Sequence, residues 1–135
     1  MKTLKVIPDN CVGCLNCIYA CLSAKQKESV NAQSMIRICD SYGHRLTSPL
    51  YCRHCKDPDC LHVCPATAIS RDPITGAVII DGSRCIGCKM CILNCPYGSI
   101  VYDMKGKKSK KCNLCNGKPS CVEHCIAGAL NYEEE

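Results

Sequence analysis

Apolar residues gather into five short runs: Leu4–Ile7, Met35–Cys39, Ala77–Ile80, Ile100–Asp103 and Ala129–Tyr132. Each is rich in Ile, Val or Tyr and only a few residues long, which predicts strands. Polar punctuation separates them. Asp72-Pro73-Ile74-Thr75-Gly76 carries turn chemistry and joins two predicted strands. Gly106 falls in a lysine-rich turn, and Lys25–Gln33 reads as a polar short helix or loop. Stretches such as CILNCPYGS predict a short helical turn leading into a strand. No run approaches the roughly 18 apolar residues of a membrane span. No linker is long enough to separate independent domains.

Cysteine follows its own rule. Sixteen of the cysteines fall into four groups of four. The first is Cys11-x2-Cys14-x2-Cys17-x3-Cys21, and the second is Cys52-x2-Cys55-x4-Cys60-x3-Cys64, followed by Pro65. The third is Cys85-x2-Cys88-x2-Cys91-x3-Cys95, followed by Pro96, and the fourth is Cys112-x2-Cys115-x5-Cys121-x3-Cys125. Compact and wide spacings alternate. CVGCLNCIYAC matches CIGCKMCILNC almost position for position, and CKDPDCLHVCPATAI echoes CNGKPSCVEHCIAGAL. Duplication of a two-group unit is the simplest account.

Composition sharpens the problem that these groups must solve. The chain has 135 residues, 17 Cys, no Phe, no Trp and 4% aromatic residues. That length supports one domain or two very small ones. Ordinary apolar bulk is too scarce to offset the chain entropy, so something other than side chains must fill the interior. Dense cysteine means disulfides or metal. MKTLKVIPDN has neither the apolar run nor the cleavage site of a signal peptide, and there is no twin-arginine pair, so a reducing cytoplasmic location is expected. There, cysteine reads as metal ligation.

Three cysteines at x2 intervals wrap a tight loop whose sulfurs and backbone N–H groups converge on one small volume. That suits three corners of a 4Fe–4S cube, the fourth ligand arriving from elsewhere. In the bacterial C-x2-C-x2-C-x3-C-P run the fourth cysteine serves the other cluster of a pair. Pro65 and Pro96 fix φ just beyond that ligand. Gly13 and Gly87 would let the backbone approach an inorganic core closely. Zinc is the alternative, yet three cysteines in seven residues followed by x3-C is not a zinc-ribbon spacing. Cluster charge also changes the electrostatics. Four oxidised cubes with their thiolates bring about −2 each, so the formal +5 becomes about −3.

With these motifs in view, the chain resembles the four-cluster, ferredoxin-like electron-transfer subunits of the DMSO reductase, formate dehydrogenase, hydrogenase and CO dehydrogenase-associated type. The resemblance runs from Cys11 to Leu130 and includes all sixteen ligand positions. It implies an α+β fold of two bacterial-ferredoxin-like dicluster modules, with small antiparallel hairpins and short helices around four 4Fe–4S clusters. It also implies nesting, the first motif pairing with the fourth and the second with the third. One cluster would then be held by Cys11, Cys14, Cys17 and Cys125, and a second by Cys21, Cys112, Cys115 and Cys121. A third would take Cys52, Cys55, Cys60 and Cys95, and the last Cys64, Cys85, Cys88 and Cys91. Residues 48–103 would form an inserted module, and 1–47 with 104–135 a discontinuous one. A tandem arrangement, one with two and three with four, uses the same ligands wired differently. Leu22 after Cys21 and Ile126 after Cys125 depart from the family's Cys-Pro endings, so those turns should be less rigid.

Outside the ligands, Cys39 reads as a small buried hydrophobe. Lys105–Lys111 (KGKKSKK) reads as a solvated hairpin turn, or else as a docking patch or compensation for cluster charge. With no aromatics among the lysines, nucleic acid is not expected. Glu133–Glu135 reads as a frayed tail. His44, His54, His62 and His124 are expected on the surface or hydrogen-bonded to cluster sulfur, not as ligands. Tyr19 and Tyr97 are expected as apolar cover over the clusters.

No G-x-G-x-x-G, P-loop, H-E-x-x-H or nucleophile–base pair is present, and sixteen cysteine ligands leave no open iron. The expected role is therefore non-catalytic: single-electron relay between a catalytic oxidoreductase subunit and an acceptor. The resemblance implies CO dehydrogenase, hydrogenase, or a tungsten or molybdenum aldehyde or formate oxidoreductase as partner, with no direct membrane insertion. A freely diffusing polyferredoxin and a self-associating, filament-forming conducting scaffold are the competing readings.

Overall fold

The computed structural model describes residues 2–26, 33–40 and 47–134. The five apolar runs become strands within two residues of their expected ends: β1 Lys2–Val6, β2 Arg37–Asp40, β5 Val78–Ile80, β6 Val101–Asp103 and β8 Leu130–Glu134. β4, Ile69–Arg71, supplies the strand that the Asp72–Gly76 turn required. Two more strands, β3 Thr47–Leu50 and β7 Lys108–Lys110, were not legible, because TSPL and KSK have neither apolar alternation nor bulk.

The strands form four two-stranded antiparallel ribbons: β1–β8, β2–β3, β4–β5 and β6–β7. Three are local hairpins. The fourth closes the chain on itself, Lys2 opposite Glu134 and Val6 opposite Leu130. Glu133 and Glu134 are thus strand residues and not the frayed tail expected from their charge; Lys5 Nζ lies 3.3 Å from a Glu133 carboxylate oxygen. Glu135 lies outside the described residues.

Four short helices carry the ends of the cysteine groups: α1 Asn16–Gln26, α2 Asp59–Val63, α3 Met90–Asn94 and α4 Ser120–Glu123. α1 packs on α4, and α2 on α3. After the second and third groups the helix stops at once, leaving Cys64 and Cys95 in extended backbone (ψ 110° and 114°). The following prolines enforce this, since the residue before proline is driven out of the helical region. Leu22 imposes no such stop, so α1 runs on through Cys21 to Gln26. At the first group the missing proline goes with a longer helix, where a looser turn was expected; at the fourth, α4 ends at Glu123 although Ile126 and not proline follows Cys125.

Two small cores result. One joins Leu4, Met35, Ile36, Leu114 and Leu130 with Cys17, Cys21 and Cys121; Ala77 also belongs to it. The other joins Ile69, Val78 and Ile100 with Cys60 and Cys91. Cysteine thus supplies a large share of both interiors, as the shortage of aromatic bulk requires.

Candidate metal centres

The ligand loops are built from backbone that most residues avoid. Gly13 and Leu15 in the first group, and Gly87 and Lys89 in the third, sit at φ +70°, +67°, +74° and +65°. In the wide groups the equivalent positions His54 (+44°) and Leu114 (+56°) do the same. Such left-handed steps turn successive N–H groups toward the inside of the loop, where they can face anionic sulfur. Gly87 has a further reason. A Cβ there would stand 2.3 Å from the carbonyl oxygen of Lys107, so the β6–β7 turn can rest on this loop only because the residue is glycine. The close approach at Gly87 is to the protein backbone of the β6–β7 turn.

Four cavities are lined by the sixteen cysteines. Cys11, Cys14, Cys17 and Cys125 border one, and Cys64, Cys85, Cys88 and Cys91 another. Cys52, Cys55, Cys60 and Cys95 border a third. Cys21, Cys112, Cys115 and Cys121 border the last, to which Cys52 also contributes. All sixteen are free thiols, and of them only Cys14 and Cys88 are exposed. Each x3 spacing carries its two cysteines into different cavities; Cys17 and Cys21 do so from one face of α1, about 6 Å apart along its axis.

The donor set fits clusters better than single ions. Tetrahedral zinc needs thiolates about 3.8 Å apart, given bonds of about 2.3 Å. Among the described residues no three Cys, His, Asp or Glu side chains converge tightly enough for one metal ion. Backbone amides already point at sulfur: Met35 N–H to Cys21 Sγ at 3.2 Å, Ala68 to Cys64 and Leu114 to Cys112 at 3.3 Å, and Ser109 to Cys85 at 3.5 Å. Two buried side-chain polar atoms lack a partner among the described residues, His54 Nε2 and Ser109 Oγ. Both residues line cysteine cavities. Buried donors are costly to leave unmade, so an acceptor inside each cavity answers both. Burial pushes the thiols of Cys17, Cys55, Cys60, Cys91 and Cys121 above their ordinary pKa, and Cys112 up to about 11. A thiolate in these positions needs a cation beside it, as a metal centre would supply.

The remaining expectations divide. His62 is exposed, with Nε2 2.5 Å from Asp57, and His124 Nδ1–H donates to the Ser120 carbonyl at 2.8 Å. Tyr97 lines the Cys52–Cys95 cavity under the Arg53 guanidinium, 4.3 Å from its ring centroid. Tyr19 does not act as cover: it is 65% exposed. His44 and the Cys39 side chain lie outside the described residues, as do residues 27–32. The lysine run is not simply a solvated turn either. Lys108–Lys110 forms β7, and Lys111 is buried, its ammonium donating to the carbonyls of Val78 and Cys112.

His54 and Lys111 meet on one wall, a feature that sequence spacing did not signal. The Val78 N–H donates to His54 Nδ1 at 2.9 Å, so the neutral ring carries its proton on Nε2. Burial, with the cations of Lys111 and Arg71 nearby, lowers the His54 pKa to about 3. Arg71 braces the same loop through the carbonyls of Cys55 and Lys56.

Known proteins resemble this chain in sequence and in fold. A family described as the 4Fe-4S dicluster domain matches residues 44–135. The putative electron transport protein YsaA of Escherichia coli K12 is 38% identical over 130 residues, covering 89% of this chain and 82% of that protein. The polyferredoxin-like subunit of the aliphatic sulfonate oxidoreductase of Pyrococcus furiosus is 36% identical, covering 89% and 69%. The beta subunit of NADH-dependent phenylglyoxylate dehydrogenase from Aromatoleum evansii is 36% identical over 97% of this chain, which spans 30% of that longer protein. In fold, the BamBC active-site complex of benzoyl coenzyme A reductase aligns with all of this chain and 80% of its own, with a TM-score of 0.56 at 22% identity. Cysteine-lined cavities, amides aimed at sulfur and these relatives agree: the chain belongs to the 4Fe–4S dicluster domain family of iron–sulfur electron-transfer proteins.

Proposed function

We propose that this chain relays single electrons through four 4Fe–4S clusters, held in the nested sets, between a catalytic oxidoreductase subunit and an acceptor. The observation that carries this reading is the lining of the four cavities: each brings together one nested set of four cysteines from distant parts of the chain. Two supports are independent of the cavities. β1 pairs with β8, and the buried residues of the two small cores divide close to 1–47 with 104–135 against 48–103, Ala77 excepted. The hairpins β2–β3 and β6–β7 straddle those two boundaries and join the modules.

Bound clusters with four cysteine ligands supply one-electron chemistry and offer no open position to a substrate. The protein's own part is order and insulation. α1 links the first cavity to the second through Cys17 and Cys21, Cys52 borders the second and third, and α2 links the third to the fourth through Cys60 and Cys64. Exposed Cys14 and Cys88 lie at the two ends of that series, with Val12 and Ile86 exposed beside them. Electrons would enter and leave there. Relatives named as a hydrogenase-2 operon protein and as the B subunits of sulfite dehydrogenase and tetrathionate reductase support a redox-enzyme partner. Among the described residues no helix is long and apolar enough to cross a membrane, and dense free thiols favour a reducing, cytoplasmic compartment.

Cys125→Ala tests the wiring. Nested ligation predicts loss of the cluster held by Cys11, Cys14 and Cys17, seen by site-resolved spectroscopy, with iron falling from about sixteen atoms per chain to about twelve. Loss at Cys85, Cys88 and Cys91 would establish tandem wiring.

A further inference from the structure

The walls of the four cavities are unequal. His54 is held by its neighbour in sheet β4–β5: the Val78 amide fixes the neutral tautomer, and Nε2–H is buried with no acceptor among the described residues. Lys111 lines the same cavity, anchored on the carbonyl of the same residue, Val78. At the repeated position in the fourth group stands Leu114, whose side chain has no donor to offer. Hydrogen bonds and positive charge stabilise the reduced, more negative form of a cluster and raise its potential.

We propose that His54 donates Nε2–H to sulfur in the site of Cys52, Cys55, Cys60 and Cys95, and that this bond with the neighbouring Lys111 ammonium makes that site the most positive of the four couples. This rests on the ligand sets proposed above. The two tuning residues differ in reach. Lys111 also touches the backbone of Cys112, which lines the adjacent cavity, whereas His54 serves one site. An electron arriving at either end would settle first in the interior, on the third site, before onward transfer. One electron reduces one cluster there, supplied by the redox partner and passed on to the acceptor.

The test uses the iron-replete chain in a potentiometric titration followed by EPR, with ¹⁵N-histidine labelling and pulsed EPR of the first couple to reduce. We expect a histidine ¹⁵N coupling on that couple. His54→Leu should abolish the coupling and move that couple alone to a more negative potential. His54→Gln should abolish the coupling but restore most of the potential through its amide N–H. Lys111→Met should lower two couples. The couple moved by His54→Leu should be the one altered by Cys60→Ser. Full iron with no histidine coupling, an unmoved couple in His54→Leu, or movement of a different couple from the Cys60→Ser one overturns this inference alone. Wild-type iron well below about sixteen atoms overturns the four-cluster reading and this inference with it. If His54→Leu does not fold, the wild-type coupling and its loss in His54→Gln decide the matter.

Discussion

Cys52-Arg53-His54-Cys55 and Cys112-Asn113-Leu114-Cys115 open the two wide cysteine groups with their third residues both left-handed, at φ +44° and +56°, and the second loop adds left-handed steps at Cys115 and Asn116. One loop fills that position with an imidazole whose free N–H is buried at the cavity. The other fills it with Leu114, 2% exposed and packed into the core shared by Leu4, Met35 and Leu130. Polar support is distributed in the opposite sense. Asn113 braces its own loop, accepting from the Cys115 amide at 3.0 Å and from Lys25 Nζ at 2.9 Å. The His54 loop is braced by Arg71 through its outer carbonyls. Duplication preserved the device that presents sulfur, and the one side chain facing inward was left to set stability in one copy and electrostatics in the other.

That contrast is open to attack by substitution. The largest effect is expected from Leu114→Ala, which removes buried bulk from the outer core at a cost of about 2–5 kcal/mol. Cluster loss is irreversible, so the measure is the rate of bleaching near 400 nm under denaturant, which should rise steeply, the sites of residues 1–47 and 104–135 failing before the inner pair. Leu22→Pro imposes on the first group the ending of the third. It should truncate α1 beyond Cys21 and cost about 3 kcal/mol, read as lost helical circular dichroism and faster bleaching. Survival of α1 at full length would show that the proline is not what separates the two endings.

Two glycines at left-handed backbone make a smaller and sharper test. Gly98→Ala meets nothing within 4 Å and should cost only the conformational penalty, about 1–2 kcal/mol. Gly87→Ala adds a clash with the Lys107 carbonyl and should destabilise more, loosening the β6–β7 turn from the third group. Equal bleaching rates would remove the close approach as the reason for glycine at that position.

The smallest effect belongs to that turn's carboxylate. Backbone N–H groups of Gly106 and Lys105, and the Lys110 side chain, hold Asp103 below its ordinary pKa of 3.8. A lowered folded-state pKa gives stability that is present above about pH 4 and lost as pH falls through the folded value. Asp103→Asn should therefore narrow its deficit against wild type as the pH drops below 4, with bleaching rates compared side by side. A deficit that stays constant across that range would show that the carboxylate's charge contributes nothing.

The cysteine spacings, the alternation of compact and wide groups, and the five apolar strands could be read directly, because they are local: ligand loops of a few residues and strands marked by Ile, Val and Tyr. What misled was also local. KSK and TSPL become strands by lying beside partners, and Glu133 and Glu134 are ordered because β1 reaches them from the far end of the chain.

Sequence by itself therefore set out sixteen cysteines in four groups and the iron–sulfur chemistry that their spacing predicts. Which cysteines face one another, and how each cavity is tuned, was decided only by tertiary structure. His54 takes its tautomer from an amide 24 residues away, and the Lys111 ammonium reaches a carbonyl 33 residues away. Spacing along a chain fixes the geometry of a loop of a few residues. The field inside a cavity depends on which distant dipoles and charges the fold packs against it.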